Sequence, residues 1–146
     1  MKKLLVAIDD CEVTTIESPA MQRVIELAGA FSSRVWLLHV VPEPRPGPFN
    51  VDRKALREGF ADEFHHEHQH LQQLAQCLRV RGVDSCALLV EGPPVDTILE
   101  KSKQLGVDLV ILVCRKHGSL FGALTGAPRE RLLGRCPRPI MFVPEG

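Results

Sequence analysis

At 146 residues with 45% hydrophobic and 25% charged residues, the chain is long enough for one domain with a full core and too short for two comfortable ones. Lys plus Arg and Asp plus Glu both number 18, so no surplus charge points to nucleic acid or to an anionic membrane as a partner. No run approaches the ~18 apolar residues of a membrane helix, and the first residues enter a strand pattern rather than a signal peptide, so a soluble cytoplasmic protein is expected.

The first predicted strand is 4–8 (LLVAI). Ser18 and Pro19 then form an N-cap and first-turn pair, and Met21, Val24, Ile25, Ala28 and Phe31 repeat at helical spacing. A second strand, 35–41 (VWLLHVV), leads into Pro42, Pro44, Pro46 and Pro48, which predict an extended connection. Leu56, Phe60, Phe64, Leu71, Leu74 and Leu78 mark a long second helix ended by Gly82. As one helix, 52–81 would run ~45 Å at ~1.5 Å per residue, about twice a typical strand, so part of it must overhang, bend at Gly59 or be irregular.

A third strand, 86–90 (CALLV), is followed by a helix carrying Val95, Ile98, Leu99 and Leu105, which starts after Pro93 and Pro94 and stops at Gly106. The fourth strand, 109–114 (LVILVC), precedes a weaker helical pattern with Leu120, Leu124, Leu132 and Leu133, in which Pro128 starts, kinks or interrupts the helix. Ile140, Met141, Phe142 and Val143 form the last strand. Continuous rather than alternating apolar runs suit strands covered on both faces. The β-α alternation therefore predicts a single α/β domain over 1–146: one open, parallel, doubly wound, Rossmann-like sheet with helices on both faces.

The five cysteines, Cys11, Cys77, Cys86, Cys114 and Cys136, are odd in number and form no C-x-x-C, which fits neither a disulfide framework nor a zinc knuckle. They read as thiols in a reducing compartment. Cys114 ends a strand beside Arg115 and Lys116, whose charges would favour a redox-sensitive thiolate. Cys136, in a Pro-rich turn, has the weaker case, and a structural role is the preferred reading for both.

Several pieces in register resemble the universal stress protein family over essentially the whole length. They are the opening strand ending in Asp9, the strand end Leu37-Leu38-His39-Val40-Val41, the turn Glu91-Gly92-Pro93 before Ile98 and Leu99, Gly106-Val107-Asp108-Leu109-Val110, and Arg135-Cys136-Pro137-Arg138-Pro139-Ile140. The resemblance implies five strands in the order 3-2-1-4-5, commonly dimeric through the last strand, with ATP bound by some members and not by others. In that order the winding reverses between strands one and four, where α/β proteins hold ligands, so Asp9 would face the loop after Val113. Asp9 and the backbone of Val40 match family positions that touch ribose and adenine.

ATP-binding members carry G-x-x-G-x9-G-[ST]. Laid on this chain those positions are Val113, Lys116, Gly126 and Ala127, so only Gly126 keeps the pattern. A Cβ at Val113 and Lys116 stands where glycine lets backbone approach a polyphosphate, and Ala127 lacks the hydroxyl. Arg115, Lys116 and His117 offer side-chain donors instead, and Gly118 and Ser119 restore a flexible, hydroxyl-bearing step. The alternatives are thus an anion or nucleotide site formed by Asp9, Val40, Arg115, Lys116, His117, Gly118, Ser119 and Gly126, or a basic turn packed against a partner subunit. The second is preferred.

A rival constellation is His66-Glu67-His68-Gln69-His70, an H-E-x-x-H. Residues four apart share a helix face, so two imidazoles can hold zinc while Glu67 activates its water. At ~100° per residue, however, Glu67 falls within the stripe of Phe60, Phe64, Leu71 and Leu74, so either the carboxylate is buried against a partner or the helix locally turns that stripe to solvent, and neither needs zinc. Gln73 and Gln76 replace the glycine and third histidine of the extended motif, and Glu63 with His66 lacks a four-helix core. No metal is expected to be required, His66 and His70 being the candidates if one binds. No G-x-S-x-G elbow orders a Ser-His-Asp set.

The resulting expectation is a stress-response protein that binds a ligand or an unidentified protein partner without turnover. ATP or AMP is not required, and ATP is not held in the family's usual pose. The alternatives are an adenine-nucleotide-binding or weakly ATP-hydrolysing member using Arg115, Lys116, His117 and Ser119, and, from another class, a zinc hydrolase through His66, Glu67 and His70. A homodimer is expected because the last strand, at the sheet edge in this order, is too apolar to leave unpaired.

Overall fold

Each continuous apolar run becomes a strand whose alternate residues face two different helical layers. The structure, a computed structural model, describes residues 1–11, 13–41, 53–116, 118–128 and 131–145, and of 53–60, 119 and 123 it describes the backbone alone. The strands are β1 (Lys3–Ile8), β2 (Arg34–Val41), β3 (Ser85–Glu91), β4 (Leu109–Cys114) and β5 (Ile140–Pro144). They form one parallel sheet in the order β3-β2-β1-β4-β5. Both edge positions, the predicted strand order and the parallel class agree with the sequence reading.

On one face Leu4, Val6 and Ile8 of β1 pack with Val35 and Leu37 of β2 against α1 (Pro19–Phe31) and α2 (Arg53–Val80). On the other, Leu5 and Ala7 pack with Trp36 and Leu38 against α3 (Pro94–Leu105), α4 (Ser119–Thr125) and α5 (Leu132–Arg135). Full burial on two sides explains why these strands are apolar throughout instead of alternating.

Local chemistry sets the helix ends. The Ser18 side chain accepts a hydrogen bond from the Met21 N–H at 3.3 Å and Pro19 opens α1, as predicted. Phe31, counted on the apolar stripe of α1, is instead 45% exposed, because the chain turns away at Ser32, a left-handed C-cap. Gly106 stops α3 at φ +61°, a conformation costly for any residue with a Cβ. The predicted fourth helix is two: α4 ends at Gly126, and a four-residue α5 follows.

Among the open expectations for α2, overhang is the one found. The helix is continuous through Gly59, and its 28 residues span ~42 Å against ~26 Å for the eight-residue β2. From Ala61 onward its buried positions are Leu71, Leu74, Ala75 and Leu78, all in the carboxyl-terminal part. The side chains of Leu56 and Phe60 and the proline-rich connection lie outside the described residues. Among the described residues no helix is long and apolar enough to cross a membrane.

Candidate functional site

Strands β1 and β4 run side by side with Ile8 opposite Val113, so the chain leaves both strands at one point. The Asp9 N–H donates to the Val113 carbonyl at 3.2 Å, extending the ladder one step and fixing where the Asp9 side chain begins. Val40 ends up at the same carboxyl end of the sheet, because β2 flanks β1 with Ala7 opposite Leu38. This is the winding-reversal crevice expected from the strand order.

The loop's backbone donors turn inward onto Asp9. The Arg115 N–H donates to Asp9 Oδ2 at 3.5 Å and the Leu120 N–H to Asp9 Oδ1 at 3.4 Å. Gly118 closes the arrangement: a Cβ there would overlap the Asp9 carboxylate, which explains why the chain carries glycine at this step. A carboxylate of the protein thus sits where backbone amides and the first turn of α4 would otherwise favour an external anion.

The neighbouring charges are also engaged. Arg115 Nη1 lies 3.3 Å from Asp10 Oδ2, so the second aspartate balances the loop's arginine. The Glu145 N–H donates to the Cys114 carbonyl at 3.0 Å, and the Thr14 hydroxyl donates to Glu145 Oε2 at 2.8 Å, tying the end of β5 to the loop after β1. Burial pushes the Glu145 carboxyl above its ordinary value, opposed by the Thr14 hydrogen bond and by Arg115 and reinforced by Asp10 and Asp9. Beside this network a cleft of about 500 Å³ opens between loop and edge strand, lined by Arg115, Lys116, Phe121, Phe142 and Pro144 among others.

Of the predicted site residues, Asp9, Arg115 and Gly118 are brought together, and Lys116 is exposed on the cleft. Gly126 is not with them: it caps the far end of α4, ~10 Å along the axis from the loop, and its carbonyl accepts from Arg131 Nε at 2.7 Å. His117 and the Ser119 side chain lie outside the described residues. The thiolate reading of Cys114 is corrected. Its side chain is buried, and burial first and the Asp9 charge second push the thiol up to about 12.

On α2 the H-E-x-x-H residues divide between two environments. Glu67 turns toward the sheet, with Oε2 3.6 Å from His39 Nε2, while its backbone carbonyl accepts from Cys11 Sγ at 3.7 Å. His39 Nδ1 lies 2.9 Å from the Ile8 carbonyl, and since a carbonyl only accepts, Nδ1 carries the proton. Of the two expectations for Glu67, a partner rather than a solvent-turned stripe is the one found, and its identity was not anticipated. The signal was available, since a histidine inside an apolar strand and a carboxylate inside an apolar helix stripe both require partners. His66 and His70 stand together, with their Nε2 atoms 3.2 Å apart in a ring-to-ring hydrogen bond.

A parallel 3-2-1-4-5 sheet with a crevice at its winding reversal defines a Rossmann-like α/β fold. The universal stress protein family model matches residues 1–144, and the chain belongs to that family. Among solved structures, universal stress protein UspA from Lactobacillus plantarum aligns with a TM-score of 0.71 at 19% identity, covering 97% of this chain and 97% of that one. An Arabidopsis thaliana universal stress protein family protein with AMP bound aligns at 0.59 and 19% identity, covering 100% and 93%. A universal stress protein from Archaeoglobus fulgidus in complex with dAMP aligns at 0.56 and 17%, covering 97% and 97%. At these identities the likeness is one of fold. No curated protein matches the chain.

Proposed function

We propose that this universal stress protein acts in a stress response by binding rather than by turnover, and that its crevice does not take ATP in the family's usual pose. One observation carries this reading: the Asp9 carboxylate rests on the Arg115 and Leu120 amides and against Gly118, filling the anion position from within. Of the four pattern positions only Gly126 is glycine, and it stands at the wrong end of α4 to help. The partner favoured is a second copy of the chain. β5 is a sheet edge on which Phe142 is 46% exposed, and the cleft beside it joins that edge to the basic loop.

A second reading is favoured by the neighbours, two of which hold an adenine nucleotide with a single phosphate. A mononucleotide needs no polyphosphate cradle, and Arg115, Lys116, His117 and Ser119 would supply its donors, with weak ATP hydrolysis as an extension. Equilibrium dialysis with ATP and AMP, on the wild type and Asp9→Ala, separates the two. With Asp9 as an internal anion, the wild type shows no sub-millimolar ATP affinity and Asp9→Ala holds phosphate-bearing ligands as well or better. Sub-millimolar ATP binding abolished by Asp9→Ala would make Asp9 a nucleotide ligand and overturn the first reading. Sedimentation should give a dimer at micromolar concentration that Phe142→Glu dissociates; a wild-type monomer removes the partner proposal.

A further inference from the structure

Segment 65–70 of α2 carries four histidines, and the crevice uses none of them. Two have a defined relation. His66 and His70, four residues apart, bring their Nε2 atoms to 3.2 Å with ring centroids 4.6 Å apart and planes at 76°. The segment lies on the amino-terminal side of Leu71, the first buried position of α2 after Ala61, where His66 is exposed and His70 half-buried.

We propose that His66 and His70 form a two-imidazole chelate for one borderline transition-metal ion of the zinc or nickel kind. Tetrahedral zinc with Zn–N bonds of ~2.0–2.1 Å requires its two nitrogens ~3.3–3.4 Å apart, so the pair stands within ~0.2 Å of the bite it would need. Imidazole is the ligand type these ions share. A continuous helix carries both rings; the ring that donates its Nε2 proton in the present contact must hold that proton on Nδ1 instead when the ion takes both Nε2 lone pairs. Asp62 and Glu63 stand one turn earlier on the same face, and among the described residues no group of three His, Cys, Asp or Glu converges, so the pair is proposed as a two-ligand chelate only.

The same geometry bears on a hydrolase reading: Glu67, which would serve as base, has its Oε2 3.6 Å from His39 Nε2 on the sheet side of the helix. The inference rests on α2 alone and is independent of the crevice.

The test is calorimetric titration of the untagged full chain with zinc chloride and with nickel chloride, with the imidazole proton resonances followed by NMR during the zinc titration. One ion per chain at micromolar affinity is expected, with the His66 and His70 ring signals moving together. His66→Ala and His70→Ala should each weaken binding at least about tenfold, while a His65→Gln/His68→Gln variant binds as the wild type does. Affinity weaker than millimolar in the wild type, binding unchanged in His66→Ala, or binding lost in the His65→Gln/His68→Gln variant would each overturn the proposal. His66→Gln and His70→Gln, which preserve side-chain length, repeat the test should either alanine variant fold poorly.

Discussion

At each end of β4 a carboxylate sits on two backbone N–H groups, and the two joints differ in tightness. At the amino end the Lys2 and Lys3 amides donate to Asp108 Oδ2 at 2.8 and 3.0 Å, and the Asp108 N–H returns a bond to the Lys3 carbonyl at 2.8 Å. These bonds, Lys3 first and Lys2 second, hold the Asp108 carboxyl below its ordinary value. At the carboxyl end Asp9 receives Arg115 and Leu120 at 3.5 and 3.4 Å, near the limit at which such bonds count. One chemistry therefore serves two purposes. The short joint ties the start of β4 to β1, and the long one fills the crevice through weaker bonds.

The largest expected effect tests whether the crevice end is nonetheless closed. Cys114 ends β4 beneath Asp9 with its thiol pushed up to about 12, so at pH 8 about one molecule in ten thousand carries the thiolate. Cys77 lies exposed on α2. Iodoacetamide should modify Cys77 at least about a hundredfold faster than Cys114, which reacts at full rate only in denaturant. Comparable rates, read by peptide mass analysis, would mean that the crevice opens readily and would break the comparison.

The strands, their parallel class and the place of the crevice were legible because they follow from apolar runs and connection order, which one residue does not alter. What fills the crevice was not. Asp9 and Gly118 are 109 positions apart, and whether the carboxylate turns to ribose or to its own loop depends on one side-chain rotation that no spacing encodes. Asp10 with Arg115 was likewise unseen as a pair. The thiolate alternative for Cys114, set below a structural role, arose because neighbours along the chain suggested cations, whereas in the fold burial dominates and the anion Asp9 adds to it. His39 and Glu67 could have been paired, each being a polar misfit in an adjoining element. The end of α1 was misjudged at Phe31 because periodicity does not reveal that the next residue turns left-handed.

A smaller effect, on stability, separates the ends by coupling. Gly118→Ala places a Cβ on the Asp9 carboxylate and forces it off the loop amides, costing about 1 kcal/mol in lost hydrogen bonding. In an Asp9→Ala background that cost should largely vanish, giving a coupling of about 1 kcal/mol in a double-mutant cycle followed by urea denaturation. Gly106→Ala, near the amino end, also costs about 1 kcal/mol, but through its positive φ, and should add to Asp9→Ala without coupling. Additivity at Gly118 would mean that the carboxylate does not occupy the loop.

The smallest effects are those of pH, and their signs should oppose each other. Asp108 has a folded value below its unfolded one, so its stabilisation is present above the ordinary carboxylate range and disappears as the pH falls through the lowered value. Glu145, raised chiefly by burial, binds its proton more tightly in the native state; its stabilisation is complete below the ordinary Glu value and is lost as the pH rises through the raised one. Asp108→Asn should therefore be most destabilising, relative to wild type, at neutral pH and converge with it in acid. Glu145→Gln should do the reverse, gaining on wild type as the pH rises. Urea midpoints between about pH 3 and 8 give both slopes. Two slopes of the same sign would mean that the crevice end holds its carboxylates as the amino end does, and the distinction between a tight and a loose joint would be lost.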